Sequence, residues 1–312
     1  MKTDSFEPLL AIGLMSGTSA DGVDAALVRT DGDRFYEYID SVMIAYDPRM
    51  QHRLIDAAQN DIPLSELLQL EQELTQFHLN ACQELLARQG STSERRRMIG
   101  FHGHTIRHDR NRRLTLQLGN ASLLAQVLRC DVVSDFRRCD MANGGNGAPL
   151  APLFHQLLFR ERAKPTAVLN LGGVGNITYL GLHGEILAGD TGPGCGLLDA
   201  LAQRELSAPL DRDGKLAEGG QVHKGPVEAA MDHEFFSLKL PKSADRYEFD
   251  GLDLGDLSAA DRAATLCAIT VAGVKSAIDQ VSRSPTSMWV TGGGSRHPVL
   301  MSMLQGTFGD VQ

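Results

Sequence analysis

Residues 9–33, LLAIGLMSGTSADGVDAALVRTDGD, contain the pattern that decides the fold. An apolar run is followed by a loop of glycine and polar residues, a second apolar run and a tight turn. Residues 166–185, TAVLNLGGVGNITYLGLHGE, repeat the same pattern. Apolar runs separated by such turn signals are typical of β-hairpins. The sequence therefore predicts two copies of one hairpin-based unit.

Strand and helix signals alternate around the two hairpins. A third strand is predicted after each hairpin, at 39–45 and at 185–188, and leucines at helical spacing predict a helix over 63–88. Shorter strands and helices follow, which indicates an α/β layered fold. The length of 312 residues suggests two domains. We place their boundary in the polar segment near residue 160, giving domains 1–160 and 161–312.

Composition excludes several classes of protein. The chain has 39 acidic and 30 basic side chains, and its short arginine runs at 95–97 and 110–113 do not make the basic surface that nucleic acids need. Five cysteines without C-x-x-C spacing argue against a disulfide framework or a structural zinc site. No apolar run approaches the ~18 residues of a membrane span, and no signal peptide is evident. We expect a cytoplasmic protein without a membrane or nucleic-acid partner.

Four glycine-rich loops follow apolar strands, at 13–22, 172–175, 192–194 and 292–294. Glycine turns present backbone N–H groups without a Cβ in the way, so they suit phosphate oxygens. Each loop taken alone could equally be an ordinary turn. Neither a P-loop nor a G-x-G-x-x-G motif occurs, which disfavours the two commonest nucleotide-binding folds. The remaining interpretation is phosphate binding by paired hairpins, one from each half.

Carboxylates beside these loops suggest two kinds of chemistry. Asp21 and Asp24 follow the hydroxyls of the first loop, and a cation such as Mg²⁺ would relieve their repulsion of a phosphate. Simple turn formation by Asp21-Gly22 explains that spacing equally well. Asp190 follows a predicted strand and could accept a proton from a nucleophile. It could equally cap the helix after it.

Polar side chains near the predicted strand 98–106 are candidates for ligand contacts. His102 and His104 would share a strand face, but few further metal ligands lie near them, so we favour polar contacts to a ligand. Asp135 and Arg137 follow the short predicted strand 131–134. They could hold a substrate hydroxyl or carboxylate, because the guanidinium fork suits a carboxylate.

The chain resembles the anhydro-N-acetylmuramic acid kinases, within the actin/hexokinase/Hsp70-type superfamily. The resemblance covers nearly the whole chain, and its motifs occur in the family's order. The motifs are GLMSGTSADGVD (13–24), GFHGHTIRH (100–108), TLQLGN (115–120), SDFRRCDMANGGNGAPLAP (134–152), NLGGVGNIT (170–178), DTGPG (190–194) and VTGGGSRHP (290–298).

This resemblance implies two actin-like (ribonuclease-H-like) α/β domains, with mixed sheets flanked by helices and the active site in the interdomain cleft. It implies an ATP- and Mg²⁺-dependent enzyme of peptidoglycan recycling, which opens the 1,6-anhydro ring of the sugar with water and phosphorylates O6. A homodimer is left open. Asp190 would be the general base, and Asp21 and Asp24 would hold the metal. ATP would contact Gly17, Thr18, Ser19, Ala20, Asp21, Gly22, Val23, Asp24, Gly172, Gly173, Asn176, Gly292, Gly293 and Gly294, and the sugar would contact His104, Thr105, Asp135 and Arg137.

Several positions depart from the family's usual pattern. Cys195 stands where Asn is usual, His104 where Gln is usual, Phe101 where Ser is usual, and residues 244–246 are Ala-Asp-Arg instead of Thr-Gly-Arg. The chain ends at Gln312 soon after the last glycine loop, so we expect a C-terminal domain shortened at its end. Two alternatives follow: a homologue that binds nucleotide or sugar without turnover, and a kinase for another sugar.

Overall fold

A computed structural model describes residues 7–89, 97–109, 112–244 and 248–312. Arginines 95, 96 and 110 and the departures at 245 and 246 lie outside the described residues. The chain divides into two compact units, Met1–Ala148 and Pro149–Gln312.

The first unit contains a six-stranded mixed sheet. Strands β1 (Leu9–Ser16), β2 (Gly22–Thr30) and β3 (Tyr36–Ala45) form an antiparallel meander. The long strand β4 (Arg97–Asp109) pairs parallel with β1 on the other side of the meander. Two shorter strands complete the sheet against β4: β5 (Leu114–Leu118) runs antiparallel to it and β6 (Asp131–Ser134) runs parallel.

Four helices accompany this sheet in the described part of the first unit: α1 (Pro48–Gln59), α2 (Leu64–Arg88), α3 (Ala121–Leu128) and α4 (Phe136–Ala142). Helix α2, which the leucine spacing predicted, packs on β2 and β3. Helix α1 was not predicted, although its start carries a clear signal. The Asp47 carboxylate accepts a hydrogen bond of 2.8 Å from the Met50 N–H, and Pro48 occupies the first turn.

The second unit repeats the sheet arrangement of the first with four strands. Strands β7 (Thr166–Leu171), β8 (Val174–Leu180) and β9 (Ile186–Pro193) form the antiparallel meander, and β10 (Ser287–Thr291) pairs parallel with β7. The order β10-β7-β8-β9 therefore matches β4-β1-β2-β3 strand for strand. The predicted α/β fold with mixed sheets flanked by helices is confirmed.

Strand β9 is longer than predicted. The sequence placed its end at residue 188, because the glycines and proline of 192–194 signal a turn. The strand instead continues to Pro193, which lies opposite Val174 in β8. Asp190 consequently lies within the strand, opposite Asn176, and not in a loop after it.

The helices of the described second unit surround the long α10. They are α5 (Pro152–Leu158), α6 (Gly196–Leu206), α7 (Lys215–Glu218), α8 (Lys224–Met231), α9 (Glu234–Ser237), α10 (Ala259–Ile278) and α11 (Pro298–Phe308). Sequence reasoning missed α7, α8 and α9, which are short. No helix within the described ranges combines the length and apolar character that crossing a bilayer requires.

Helix α5 explains where the division between the units lies. It packs on β8 and β9, and the His155 ring nitrogen Nδ1 lies 2.9 Å from the Thr178 hydroxyl. Helix α5 therefore belongs with the second sheet, and the division precedes it. The boundary predicted near residue 160 lies on the other side of this helix.

Candidate active site

Five of the fourteen predicted ATP-binding residues, 17–21, form the loop between β1 and β2, and three more, 22–24, begin β2. Ala20 has a left-handed φ of 53° and donates a backbone hydrogen bond of 3.0 Å to the Gly17 carbonyl. The Asp21 carbonyl accepts a 3.0 Å bond from the Tyr46 N–H. Thr18 and Ser19 are exposed. The backbone of this loop is thus fixed, while its hydroxyls and the Asp21 carboxylate are exposed.

Beneath this loop lies a buried hydrogen-bond network that sequence reasoning missed. The Ser16 hydroxyl lies 2.8 Å from the Tyr46 hydroxyl and 2.8 Å from Nδ1 of His104. Burial lowers the pKa of His104 to about 4, with the nearby His78 and His102 adding to the effect, and burial raises the pKa of Tyr46. The network is therefore uncharged near neutral pH and ties the end of β1 to β4.

The expectation that His102 and His104 share a strand face is wrong. Gly103 has a φ of +72°, and between the pairs Leu14–Phe101 and Ser16–His104 strand β4 carries one extra residue. Such a bulge reverses the alternation of faces. His104 is consequently buried with Phe101, while His102 is half-buried on the opposite face.

Arg137 lies in helix α4 and contacts its own unit. Its Nε donates to Nε2 of His102 at 2.9 Å, and its Nη1 donates to the Gly147 carbonyl at 2.7 Å. Because Nε2 of His102 accepts, its Nδ1 carries the proton and donates to the Gly103 carbonyl at 2.8 Å. The guanidinium therefore joins the bulge of β4 to the loop after α4.

The two other predicted sugar contacts, Asp135 and Thr105, have different hydrogen-bond partners among the described residues. Asp135 precedes α4 with a left-handed φ of 66°, is exposed, and accepts a 2.7 Å bond from Arg138. The Thr105 hydroxyl accepts a 3.3 Å bond from Gln117 on β5.

Asp21 and Asp24 form the candidate metal pair. Burial and the charge of Asp21 both raise the pKa of Asp24, so the two carboxylates repel each other. The Ser19 hydroxyl donates to Asp21 at 3.0 Å. Within the described ranges no group of three or more His, Cys, Asp or Glu side chains could hold a metal. Two carboxylates fit Mg²⁺, which commonly keeps water and phosphate as its other ligands.

In the second unit, the turn between β7 and β8 packs against the end of β9. The Gly172 carbonyl accepts a 2.7 Å bond from the Cys195 N–H, and the Gly173 carbonyl accepts bonds from Gly194 and Gly196 at 3.0 and 3.1 Å. A Cβ on Gly194 would overlap the Gly172 carbonyl oxygen. These two glycine loops are therefore in direct backbone contact.

The third glycine loop of this unit joins the same cluster. Gly292 has a φ of +83°, and a Cβ there would lie 2.6 Å from Oδ1 of Asn170. A Cβ on Gly294 would lie 2.6 Å from the Leu171 side chain and 2.8 Å from the Cys195 sulfur. Gly293 has open space around its Cβ position. The structure thus brings the three predicted loops of this half together at the end of β7.

Cys195 contacts two of these glycine loops, through its N–H at Gly172 and its sulfur beside Gly294. Burial raises the pKa of its thiol to about 12, with a further contribution from Asp199. A thiol with so high a pKa stays protonated and packs as a small apolar group. It precedes α6 without a side-chain capping bond.

Asp190 is held by residues that sequence reasoning did not connect with it. Its N–H donates to the Lys242 carbonyl at 2.8 Å, and its Oδ2 accepts from the Ala244 N–H at 2.9 Å. The alternative that Asp190 caps the next helix is wrong, since Cys195 occupies that position. A half-buried carboxylate fixed in this way is suited to accept a proton.

A cavity of about 480 Å³ lies beside helix α11, which follows the Gly292–Gly294 loop. Its walls include the apolar side chains of Val222, Val299 and Met303 and the carboxylates of Asp213 and Glu218. His297, at the start of α11, connects this helix to the segment before α7, because its Nε2 lies 3.3 Å from the buried Asp211 carboxylate.

Comparisons with known proteins agree on one family. A family model described as anhydro-N-acetylmuramic acid kinase matches residues 9–312. The protein of that name from Paramagnetospirillum magneticum is 43% identical over 300 residues, covering 95% of this chain and 83% of its own. Those from Acidiphilium cryptum and Rhodopseudomonas palustris BisB18 are 43% and 42% identical, covering 96% and 95% of this chain and 83% and 84% of their own.

Proposed function

Because the chain belongs to the anhydro-N-acetylmuramic acid kinase family and is therefore a phosphotransferase, we propose that it hydrolyses the 1,6-anhydro ring of that sugar and phosphorylates O6. ATP is the phosphoryl donor, and the product is N-acetylmuramic acid 6-phosphate. The observation that carries the proposal is the Asp190 carboxylate, which the Ala244 N–H fixes in the middle of a strand. The reaction belongs to peptidoglycan recycling in the cytoplasm.

Asp190 acts as the general base in this proposal. It takes a proton from a water molecule as the water oxygen bonds to the anomeric carbon. The bond between the anomeric carbon and O6 breaks, and O6 attacks the γ-phosphorus of ATP in line while ADP leaves. The proton on Asp190 then returns to solvent. One carboxylate therefore serves both the hydrolytic and the phosphoryl-transfer halves of the reaction.

The glycine loops bind the nucleotide. The β1–β2 loop offers backbone N–H groups and the hydroxyls of Thr18 and Ser19 to the phosphates. Val23 is fully buried, so its contribution comes from its backbone. Gly172, Gly173 and Asn176 complete the phosphate contacts. The 292–294 loop would contact ATP at its base and ribose.

Asp21 and Asp24 would hold Mg²⁺, which would supply positive charge to neutralise the phosphate oxygens of ATP during phosphoryl transfer. Among the predicted sugar contacts, His104 reaches the β1–β2 loop through Ser16. Thr105, Asp135 and Arg137 supply the other hydroxyl and carboxylate contacts. Arg137 would offer guanidinium donors to the lactyl carboxylate of the sugar.

The test is a product assay in water labelled with oxygen-18. With ATP, Mg²⁺ and the anhydro sugar, mass spectrometry should show the phosphorylated sugar carrying one label on the anomeric hydroxyl and none on the phosphate. Asp190→Asn should abolish this product. Asp279→Asn, which removes an exposed carboxylate paired with Lys275 at the end of α10, should leave it unchanged. Label on the phosphate would overturn the proposed order of bond changes.

The same assay separates the two alternatives. Tight binding of ATP or sugar by calorimetry without product would identify a homologue that does not turn over, and recovery of activity in Cys195→Asn would locate the defect. Product from a different anhydro sugar or hexose in a substrate panel would identify a kinase of another specificity. Both outcomes contradict the proposed reaction.

A further inference from the structure

Residues 240–244, called here the clamp segment, lie along the edge of β9 at Asp190. The Lys242 carbonyl accepts from the Asp190 N–H at 2.8 Å, as a neighbouring strand would. Two residues later the Ala244 N–H donates to the Asp190 carboxylate at 2.9 Å. Backbone and side chain of the candidate base are thus held by one short segment.

Gly189 makes this close approach feasible. A Cβ at Gly189 would lie 2.7 Å from the Lys242 carbonyl oxygen and 2.8 Å from the Lys242 nitrogen. Real Cβ atoms do not come so near to backbone, so any other residue here would push the clamp segment away from β9. The glycine beside the base is therefore required by this contact.

Lys242 anchors the clamp segment in the interior of the second unit. The side chain is buried, with 2% of its surface exposed. Its ammonium donates to the Phe235 carbonyl at 3.0 Å and lies 4.3 Å from the centre of the Phe235 ring and 5.7 Å from that of Phe236. A carbonyl and two ring faces offset part of the desolvation of the charge, which still lowers the pKa of the Lys242 ammonium.

A second anchor lies at the other end of the clamp segment. The Gln280 side-chain oxygen accepts from the Leu240 N–H at 2.9 Å, and its amide donates to the Leu238 carbonyl at 3.2 Å. Leu240 is fixed to the end of α10 and Lys242 to α9. The two residues that follow therefore have little freedom in where they place the Ala244 N–H.

We propose that Lys242 is a positioning residue for Asp190, acting through the clamp segment. The Lys242 ammonium holds the clamp segment in place, and the clamp segment places the Ala244 N–H within hydrogen-bond distance of the Asp190 carboxylate. A hydrogen bond to a carboxylate favours its charged form and sets its orientation. Asp190 is thereby held as a base in one orientation. This role rests on the proposed function, in which Asp190 activates water.

The first experiment is Lys242→Met in the full chain, which keeps the length of the side chain and removes its charge. We expect kcat to fall about tenfold or more, with KM for ATP and for the sugar within about twofold of wild type. Lys164→Met is the matched control, because Lys164 also donates to a backbone carbonyl of this unit, that of Phe159 at 2.6 Å. An unchanged kcat in Lys242→Met, or an equal loss in the control, would overturn the proposal.

The second experiment removes the Ala244 donor alone. Replacing Ala244 by lactic acid converts the amide to an ester, which deletes the N–H and keeps the side chain. The ¹³C resonance of the Asp190 carboxyl, assigned with Asp190→Asn, should titrate about one pH unit higher in the ester and in Lys242→Met than in wild type. This readout needs no turnover. An absence of product from wild type counts against the proposed function, whereas an unmoved titration counts against the clamp.

Discussion

Four strands of the first sheet have the same order and directions as the four strands of the second, but the first hairpins of the two sheets close in different ways. In the first unit five residues, 17–21, connect β1 and β2, and they expose hydroxyls and a carboxylate. In the second unit Gly172 and Gly173 alone connect β7 and β8, and their carbonyls accept bonds from residues 194–196. One hairpin therefore displays side chains, while the other is a tightly packed piece of backbone.

This difference teaches where each half can tolerate change. Where a loop works through exposed side chains, an added methyl group meets little resistance, and the loss of a hydroxyl affects ligand binding. Where glycines touch backbone, an added methyl group must displace the chain, which costs folding free energy. Three pairs of variants and one variant compared with wild type, taken from the largest expected effect to the smallest, test this contrast.

The largest effect is expected for Gly194→Ala in the second unit. Its Cβ would overlap the Gly172 carbonyl oxygen, and that backbone cannot move without breaking the bonds from residues 194–196. We expect a loss of about 3 kcal/mol in the free energy of unfolding, measured by urea denaturation. Gly17→Ala in the first unit, whose Cβ would lie 3.5 Å from the Ser19 hydroxyl, should change it by less than about 0.5 kcal/mol.

Gly293→Ala controls for glycine loss within the second unit, since its Cβ position faces open space. It should be as mild as Gly17→Ala. If Gly194→Ala were equally mild, the contact between the glycine loops would not be a packing constraint, and the contrast between the two hairpins would fail.

The second prediction concerns the loss of stability at low pH, and it depends on two histidines of the first unit. His78 and His104 are buried there, and burial lowers the pKa of each to about 4. In the unfolded chain both histidines have a pKa near 6.5. Between pH 6.5 and 4 the unfolded chain therefore binds more protons at these two side chains than the folded chain does. With respect to His104, the free energy of unfolding is therefore at its maximum above pH 6.5 and decreases as the pH falls toward 4.

His104→Gln removes one of these two groups. When the pH is lowered from 7.5 to 5.0, the free energy of unfolding should decrease by about 2 kcal/mol less in the variant than in wild type. The measurement is urea unfolding of both proteins at both pH values, which cancels any constant effect of the lost Ser16 contact. A difference between the proteins that is the same at both pH values would contradict a buried neutral His104.

Much of this architecture could be predicted because it depends on local signals. Apolar runs around glycine turns identified both hairpins, and the strand at 131–134 was placed at its observed ends. The length of β9 was misjudged, since glycine and proline usually end strands, whereas here the contact with β8 continues through them. Tertiary pairing overrode the local signal.

The site residues were harder to assemble because their contacts are distant in the chain. Nothing in a local pattern joins Asp190 to Ala244, or Ser16 to Tyr46 and His104. The bulge at Gly103 also escaped a period-two interpretation, although a glycine inside a strand is a recognised signal for one. Individual candidates could thus be named from the sequence, but the networks that orient them depend on the fold.

The third prediction compares two buried tyrosines. Tyr46→Phe removes the bond to Ser16 beneath the β1–β2 loop, and Tyr179→Phe in the second unit removes a 2.9 Å bond to the Arg283 carbonyl. Each should cost about 1 kcal/mol of unfolding free energy. Only Tyr46→Phe should also raise KM for ATP, because Tyr46, unlike Tyr179, contacts the strand that leads into the loop to which we assign phosphate binding. Equal KM values in steady-state kinetics would show that the network is merely structural.

The smallest effect on stability is expected for Ser19→Ala. Ser19 is exposed, and its hydroxyl donates to Asp21 at 3.0 Å, so its removal should change the free energy of unfolding by less than about 0.5 kcal/mol. It should nonetheless raise KM for ATP about fivefold, since one ligand-orienting hydrogen bond is worth about 1 kcal/mol. Ser41→Ala, which removes an exposed hydroxyl bonded to Tyr38 in the same unit, should leave KM unchanged. If Ser19→Ala behaved like this control, the first loop would bind ATP through its backbone, as we propose for the second loop, and the functional contrast between the hairpins would disappear.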